Sequence, residues 1–470
     1  MFSAVALNYG AAEMDSKEQR RFNILTKPIF PLLVKTSIPT IIGMLISVVY
    51  NLTDTFFVGR LHNRAMIAAI GVVFSFVSIV QAIGFWFGYG SGNAMSKKIG
   101  EKNYAEAKII SSIGIVIAIA TGILITIAAR IFIVPLSNLI GGRASPDVLA
   151  FTVQYLSIII ISIPFSLYAV TVYNQLRLYG NVRDGMIGLL SGMLSNMVLD
   201  PLLMFPLKMG FIGAGYATLT GQIIGCVVLT ALAKRHGNIP ISIKKAQYSK
   251  ERIYHILAGG LPNFSRQAIT SVALVLLNVT AARYGESMIA ALTVSSRVAA
   301  LAFMIMIGWG QGFQPICAMN YGAKQYGRVK KAFSITVIAG TIFLLLAAIV
   351  LYIFAEQCIG IISNDAEVVS TGSTLLRMQC FTLPLMASFA VSSMFMQNIG
   401  NYFSALIISI SRQGLFYIPL LYILPALYGK TGIYLLQPAA DLLSFILAVM
   451  IVYRWYRRFI KIEGITSATK

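Results

Sequence analysis

Between positions 191 and 206 an apolar run carrying Met193, Leu194, Met197, Val198, Leu199 and Leu202 is interrupted by Asn196, Asp200 and Pro201. Residues four apart share a face of a helix, so Asn196 and Asp200 form one polar spot. Pro201 carries no N–H, which leaves the carbonyl of Met197 without its helical donor. A carboxylate, a carboxamide and a released carbonyl within one turn are ligands for a small hard cation or a proton. The plainer alternative is a helix end with an Asp at the water interface. The spacing recurs near the start of the chain, where Tyr50 and Asp54 sit four apart ahead of Phe57-Val58-Gly59-Arg60, and where Pro39 is placed to bend the helix. There the alternative is an interfacial Asp54 paired with Arg60. Asp441 follows Pro438, which should release the carbonyl of Tyr434. It marks a possible second polar site, for which Glu286, Arg266 and Arg297 are the other candidates. Local satisfaction by hydroxyls or an arginine is the alternative for Asp441, and a solvated or vestibule-lining place in an outer loop for Glu286.

The elements that must carry these residues follow from composition. Of 470 residues 57% are hydrophobic and 11% charged, with a mean hydropathy of +0.78, a balance that excludes a soluble globular domain. A bilayer core of about 30 Å asks for spans of about 20 apolar residues. Twelve such spans are expected, near 35–58, 65–94, 109–131, 148–173, 184–207, 211–233, 253–282, 288–317, 330–355, 369–395, 402–428 and 431–453. The formal net charge of +21 would suggest nucleic acid in a soluble protein, but Lys and Arg concentrate in alternate loops, the positive-inside pattern with both termini cytoplasmic. Arg266 and Arg297 are read as falling within spans. Cys226, Cys317, Cys358 and Cys380 lie in apolar segments without CxxC spacing and read as small buried hydrophobes. The first 30 residues have no apolar core and do not read as a cleaved signal.

The chain repeats itself. Gly88, Gly90, Gly100, Lys102, Tyr104 and Lys108 recur as Gly310, Gly312, Gly322, Lys324, Tyr326 and Lys330 at an offset of 222, read directly from the sequence. Pro39 and Arg60 match Pro262 and Arg283 one residue further along. Pro164, Gly180 and Asn181 match Pro384, Gly400 and Asn401 at 220. Two six-span lobes are therefore expected, 1–240 and 241–470. An even number of spans per lobe makes this a parallel repeat about an axis along the membrane normal. At those offsets Asp54 corresponds to Leu277 and Asp200 to Leu420, and in the last span, at an offset of 219, Asp441 stands opposite Gln222, so the carboxylates are distributed unequally between the halves. The glycines of Gly88-Tyr89-Gly90-Ser91-Gly92 lie in an apolar helix with no preceding strand, which reads as close helix packing and not as a phosphate loop. No HExxH, paired Ser and Lys or P-loop pattern is present to support an enzyme.

These residues resemble the multidrug and toxic compound extrusion (MATE) family, and within it the MepA-like bacterial branch. The likeness is carried by Pro39 to Arg60 with Asp54 before Phe57-Val58-Gly59-Arg60, by Asn196 to Asp200-Pro201, and by Gly213-Ala214-Gly215-Tyr216-Ala217-Thr218. It extends over all twelve spans and is more specific in the first half. The resemblance implies a cation- or proton-coupling site of Tyr50, Asp54, Asn196, Asp200 and Thr218, with Na+ held at Asp54, Asn196, Asp200 and Thr218 if sodium is the ion. It implies that Pro39 takes part in helix bending, and that no cofactor is needed beyond a coupling ion, H+ or Na+. The acidic second-half site of some members has no clear counterpart, since spans seven and eight hold Arg266 and Arg297.

The expected protein is an all-α, multi-pass transporter of the cell membrane, a monomer that exports amphipathic, often cationic organic compounds in exchange for H+ or Na+. A lipid-linked oligosaccharide or lipid flippase of the same superfamily is the alternative. Its diphosphate would call for a basic cavity, and only Arg266 and Arg297 are at hand.

Overall fold

The computed structural model describes residues 16–235, 238 and 246–468, without the side chains of Ser16, Asn51, Leu52, Asp54, Thr55 and residues 458–468. Among the described residues the secondary structure is helical throughout, as it must be where no water is available to satisfy backbone groups. A short helix α1 (Ser16–Thr26) precedes α2 (Ile29–Gly59), α3 (Arg64–Gly100), α4 (Tyr104–Ile131), the short α5 (Ile133–Ile140), α6 (Pro146–Leu178), α7 (Val182–Met204) and α8 (Phe211–Ala233). The second half continues with α9 (Lys250–Ala281), α10 (Glu286–Gly322), α11 (Tyr326–Ile353), the short α12 (Ala355–Gly360), α13 (Ala366–Cys380) and α14 (Leu385–Asn398). It ends with α15 (Tyr402–Ile410), a π turn over Ser411–Phe416, α16 (Tyr417–Tyr428) and α17 (Lys430–Ala468). Among the described residues eleven helices, with α15 to α16 taken as one, are long and apolar enough to cross a membrane; the pair α13 and α14, bent by 59°, is the twelfth when taken as one span. That break falls at Pro384, inside the expected span 369–395.

The sequence repeat is also a repeat of turn geometry. Gly180 and Gly400 have φ of 85° and 89°, a region open to glycine. The residues that follow them, Asn181 and Asn401, cap α7 and α15 by accepting from the backbone N–H of Asp184 and Ser404. Lys102 and Lys324 likewise share a left-handed backbone, with φ of 61° and 59°.

Two compact units emerge. One comprises Met1–Lys27 and Ile42–Gly260, the other Pro28–Ile41 and Leu261–Lys470. They differ from the expected lobes in two pieces: Pro28–Ile41, which is Pro28 and the start of α2, belongs with the second unit, and the start of α9 as far as Gly260 with the first. The repeated glycines supply the reason. In the first unit a Cβ on Gly90 would overlap the carbonyl oxygen of Ile256, and Trp86 donates from Nε1 to the Leu257 carbonyl at 2.7 Å. Arg252 makes a two-pronged ion pair with Glu106, at 2.7 and 2.9 Å. In the second unit a Cβ on Gly312 would stand 2.7 Å from the backbone nitrogen of Ser37. Thr36, Ser37 and Thr40 donate to the carbonyls of Gly312, Trp309 and Gly308 at 3.0, 3.0 and 2.6 Å. Gly90 and Gly312 are repeat equivalents, and so are Gly260 and Ser37. Each unit therefore builds the same joint, a glycine-lined helix holding the opening turns of a helix whose sequence equivalent lies in the other half.

Candidate functional site

The first unit assembles its polar site at the crossing of α7 and α8. Gly188 and Gly192 on α7 meet Gly221 and Gly225 on α8 with their backbones nearly touching: a Cβ on Gly221 would lie 2.8 Å from the Gly192 carbonyl oxygen, and one on Gly192 the same distance from that of Gly221. Small residues permit this approach, and in a bilayer such close packing is a main source of helix association. Asn196 lies one turn after Gly192 and Thr218 one turn before Gly221, so the crossing brings them face to face. Asn196 Nδ2 donates to Thr218 Oγ1 at 3.2 Å. Asp200, a further turn along α7, is completely buried, and Asn196 is 1% exposed. Pro201 stands within α7, where it withholds a donor from the Met197 carbonyl.

Beside this crossing is a cavity of about 40 Å³, lined on its polar side by Tyr50, Gln81, Ser166, Asn196, Thr218 and Gln222. At roughly 10–15 Å³ per water-sized sphere it has room for about three. Pockets for drug-sized molecules run to about 300–1,000 Å³, so the cavity is of a size for an ion and its waters. Of the five residues expected at the coupling site, Tyr50, Asn196 and Thr218 line this cavity, and Asp200 follows Asn196 on the same helix. Asp54 is placed on α2 one turn after Tyr50, but its side chain lies outside the described residues. Pro39 is inside α2, three residues before the point where that helix passes from one unit's segments to the other's. Gln81 and Ser166 were not anticipated from sequence, and Gln222 only as the repeat equivalent of Asp441. The usable signal was a lone glutamine in an otherwise apolar span.

The candidates for a second polar site fall in different surroundings. Glu286 begins α10 and is exposed, Arg297 is exposed, and Arg266 is half-buried. Asp441, 2% exposed, takes its cation from a residue not anticipated, Arg412, whose Nε donates to Oδ1 at 2.7 Å. Gln437 Nε2 donates to the same oxygen at 2.6 Å, and Thr382 Oγ1 to the other at 3.2 Å. Arg412 belongs to the π turn, within the span formed by α15 and α16, so Arg266 and Arg297 are not the only arginines inside spans. The polar run Ser411-Arg412-Gln413-Gly414 was its visible sign.

Comparison with known proteins places these features in context. The model of the MatE family matches residues 39–202 and 262–423, once for each half. Multidrug export protein MepA of Staphylococcus aureus is 27% identical over 438 residues, covering 93% of this chain and 96% of that protein; the MepA of Staphylococcus saprophyticus is 26% identical with the same coverage. Among solved structures, a MATE transporter in a bent conformation superposes with a TM-score of 0.87 at 23% identity, over 95% of this chain and 99% of the other. A MOP superfamily transporter from Pyrococcus furiosus gives 0.83 at 23% identity, over 92% and 97%.

Proposed function

The chain belongs to the MatE family, and from that premise we propose that it is a secondary antiporter of the plasma membrane, exporting amphipathic, often cationic organic compounds while H+ or Na+ enters. The observation that carries this reading is Asp200, a carboxylate with no exposed surface in a membrane-spanning helix, one turn from an Asn196–Thr218 pair that lines an ion-sized cavity. Ionisable groups inside a bilayer are costly and are found where ions or protons travel. A buried carboxylate is better tolerated when a proton or a cation accompanies it. Binding and release of that ion then bias two conformations of the transporter. Tyr50, Asp54, Asn196, Asp200 and Thr218 are the coupling residues in this account, with Asp54 contributing the second carboxylate. The oxygens of Asp54, Asn196, Asp200 and Thr218 suit sodium, while Tyr50 and the two carboxylates suit a proton relay.

The repeat supports placing coupling in the first half, since Leu277 and Leu420 stand where Asp54 and Asp200 have their equivalents. The protein acts as a monomer of two lobes, with both termini and the basic linker at Lys244-Lys245 in the cytoplasm. The deciding experiment is substrate efflux from reconstituted vesicles under an imposed sodium gradient or an imposed pH gradient, each without the other. Efflux driven by one and not the other identifies the ion. Efflux that follows neither, or that stops on ATP removal with the gradient intact, overturns the reading.

A further inference from the structure

Four residues lining the first unit's cavity have counterparts, at the repeat offsets, in the Arg412 cluster. Gln81 corresponds to Phe303 at 222, Gly192 to Arg412 at 220, and Thr218 and Gln222 to Gln437 and Asp441 at 219. Where the first repeat has Gly192 beside open space, the second has the Arg412 guanidinium. Arg412 Cζ stands 5.1 Å over the Phe303 ring, and its Nε reaches the Asp441 carboxylate at 2.7 Å. A carboxylate on one side and an aromatic face on the other is a binding arrangement for a monovalent organic cation.

Asp441 does not depend on the guanidinium for its position. Gln437 and Thr382 donate to its two oxygens, so the carboxylate stays anchored and partly satisfied if the cation leaves. Arg412 itself sits in the π turn Ser411–Phe416, an insertion that re-aims side chains within a helix and is often found at functional sites. The side chain of Arg412 is 21% exposed against 3% for Asp441, so the cation is the reachable member of the pair.

We propose that Asp441, Phe303 and Gln437, equivalent by repeat to Gln222, Gln81 and Thr218 of the first unit's cavity, form with Thr382 a second cation-binding site that is kept filled by the chain's own guanidinium. Arg412 is a tethered cation that neutralises Asp441 in the ground state and keeps the second unit from taking up an ion, so that exchangeable cations load in the first unit alone. This rests on the reading of the first unit's cavity as the coupling site. The existence of the second site, however, can be measured without any transport step.

The test is binding of labelled methylguanidinium to purified full-length protein by equilibrium dialysis, in the wild type, in Arg412→Ala and in Arg412→Ala/Asp441→Asn, at matched ionic strength. Arg412→Ala should bind methylguanidinium saturably, approaching one per chain, and its thermal midpoint should rise as the site fills. At ten times its Kd such a ligand multiplies the folded-to-unfolded ratio about elevenfold. The wild type and the double variant should show at least tenfold weaker binding and no such rise. Equal binding by all three proteins, or none by Arg412→Ala, overturns the proposal. If Arg412→Ala is recovered only when purified in methylguanidinium, while the double variant is recovered without it, the site is supported; failure to recover Arg412→Ala under either condition counts against it. A first-unit variant such as Asp200→Asn should leave all of these results unchanged, so loss of the antiporter reading and loss of this one are distinguishable.

Discussion

Replacing Gly221 by Ala adds one methyl group at the place where α7 and α8 come closest. That Cβ would stand 2.8 Å from the Gly192 carbonyl oxygen and 3.0 Å from Asn196 Cβ. The oxygen belongs to the backbone, so no rotamer change relieves the contact and the helices must separate by about 0.6 Å to restore ordinary van der Waals distance. The Asn196–Thr218 hydrogen bond, already 3.2 Å, would then lengthen to about 3.8 Å and cease to be a bond. Overpacking costs about 1–3 kcal/mol, and an interhelical hydrogen bond in a membrane adds about 0.6 kcal/mol. Gly225→Ala is the control, because its Cβ would meet Gly192 Cα at 3.4 Å and the Gly188 oxygen at 3.6 Å, which is normal packing. That variant should lie within about 1 kcal/mol of wild type and on the stabilising side, since alanine favours helix over glycine by about that much. The assay is a thermal melt of each purified variant beside gradient-driven transport in vesicles. Gly221→Ala should melt lower and transport poorly, and Gly225→Ala should do neither. Indistinguishable behaviour of the two refutes the argument that the crossing positions the site.

Asp200→Asn keeps the size of the side chain and removes its charge. A charged Asp at mid-membrane costs about 2.5–3.5 kcal/mol on insertion scales, so the variant should melt at or above the wild-type temperature while gradient-driven transport is lost; full transport, or a melt lowered in step with activity, argues against a coupling role. Asp54→Asn should lose transport similarly. Gly90→Ala and Gly312→Ala each drive a Cβ into the helix docked on them and should destabilise by about 1–3 kcal/mol or more, whereas Gly327→Ala, with nothing within 4 Å of its Cβ, should be neutral in the same melt. A cysteine introduced at Lys244 should resist a membrane-impermeant maleimide applied outside intact cells and react once the membrane is opened. Labelling from outside would reverse the orientation.

Much of this protein is written in local sequence. The spans are legible because hydropathy is a property of each segment by itself, and the bilayer imposes a length on it. The common face of Asn196 and Asp200 is legible because helical periodicity fixes which residues align within one helix. The turns at Gly180-Asn181 and Gly400-Asn401 are legible as a repeat because a positive φ and a following cap each demand a residue type. What connects the helices is another matter. The Asn196–Thr218 contact needs α7 and α8 to cross at Gly192 and Gly221, and a glycine shows that something can come close without showing what does. For the same reason Gly90 reads as a packing position and Gly312 as its repeat equivalent, while their partners, Ile256 and Ser37, and with them the exchange of the starts of α2 and α9 between the expected lobes, became visible only in three dimensions. The pairing of Asp441 was decided there too. Arg266, Arg297 and Arg412 carry the same charge, and only the packing of the π turn against α17 brings one of them within hydrogen-bond reach of a buried carboxylate, because the strength of an ion pair depends on a separation that sequence distance does not encode.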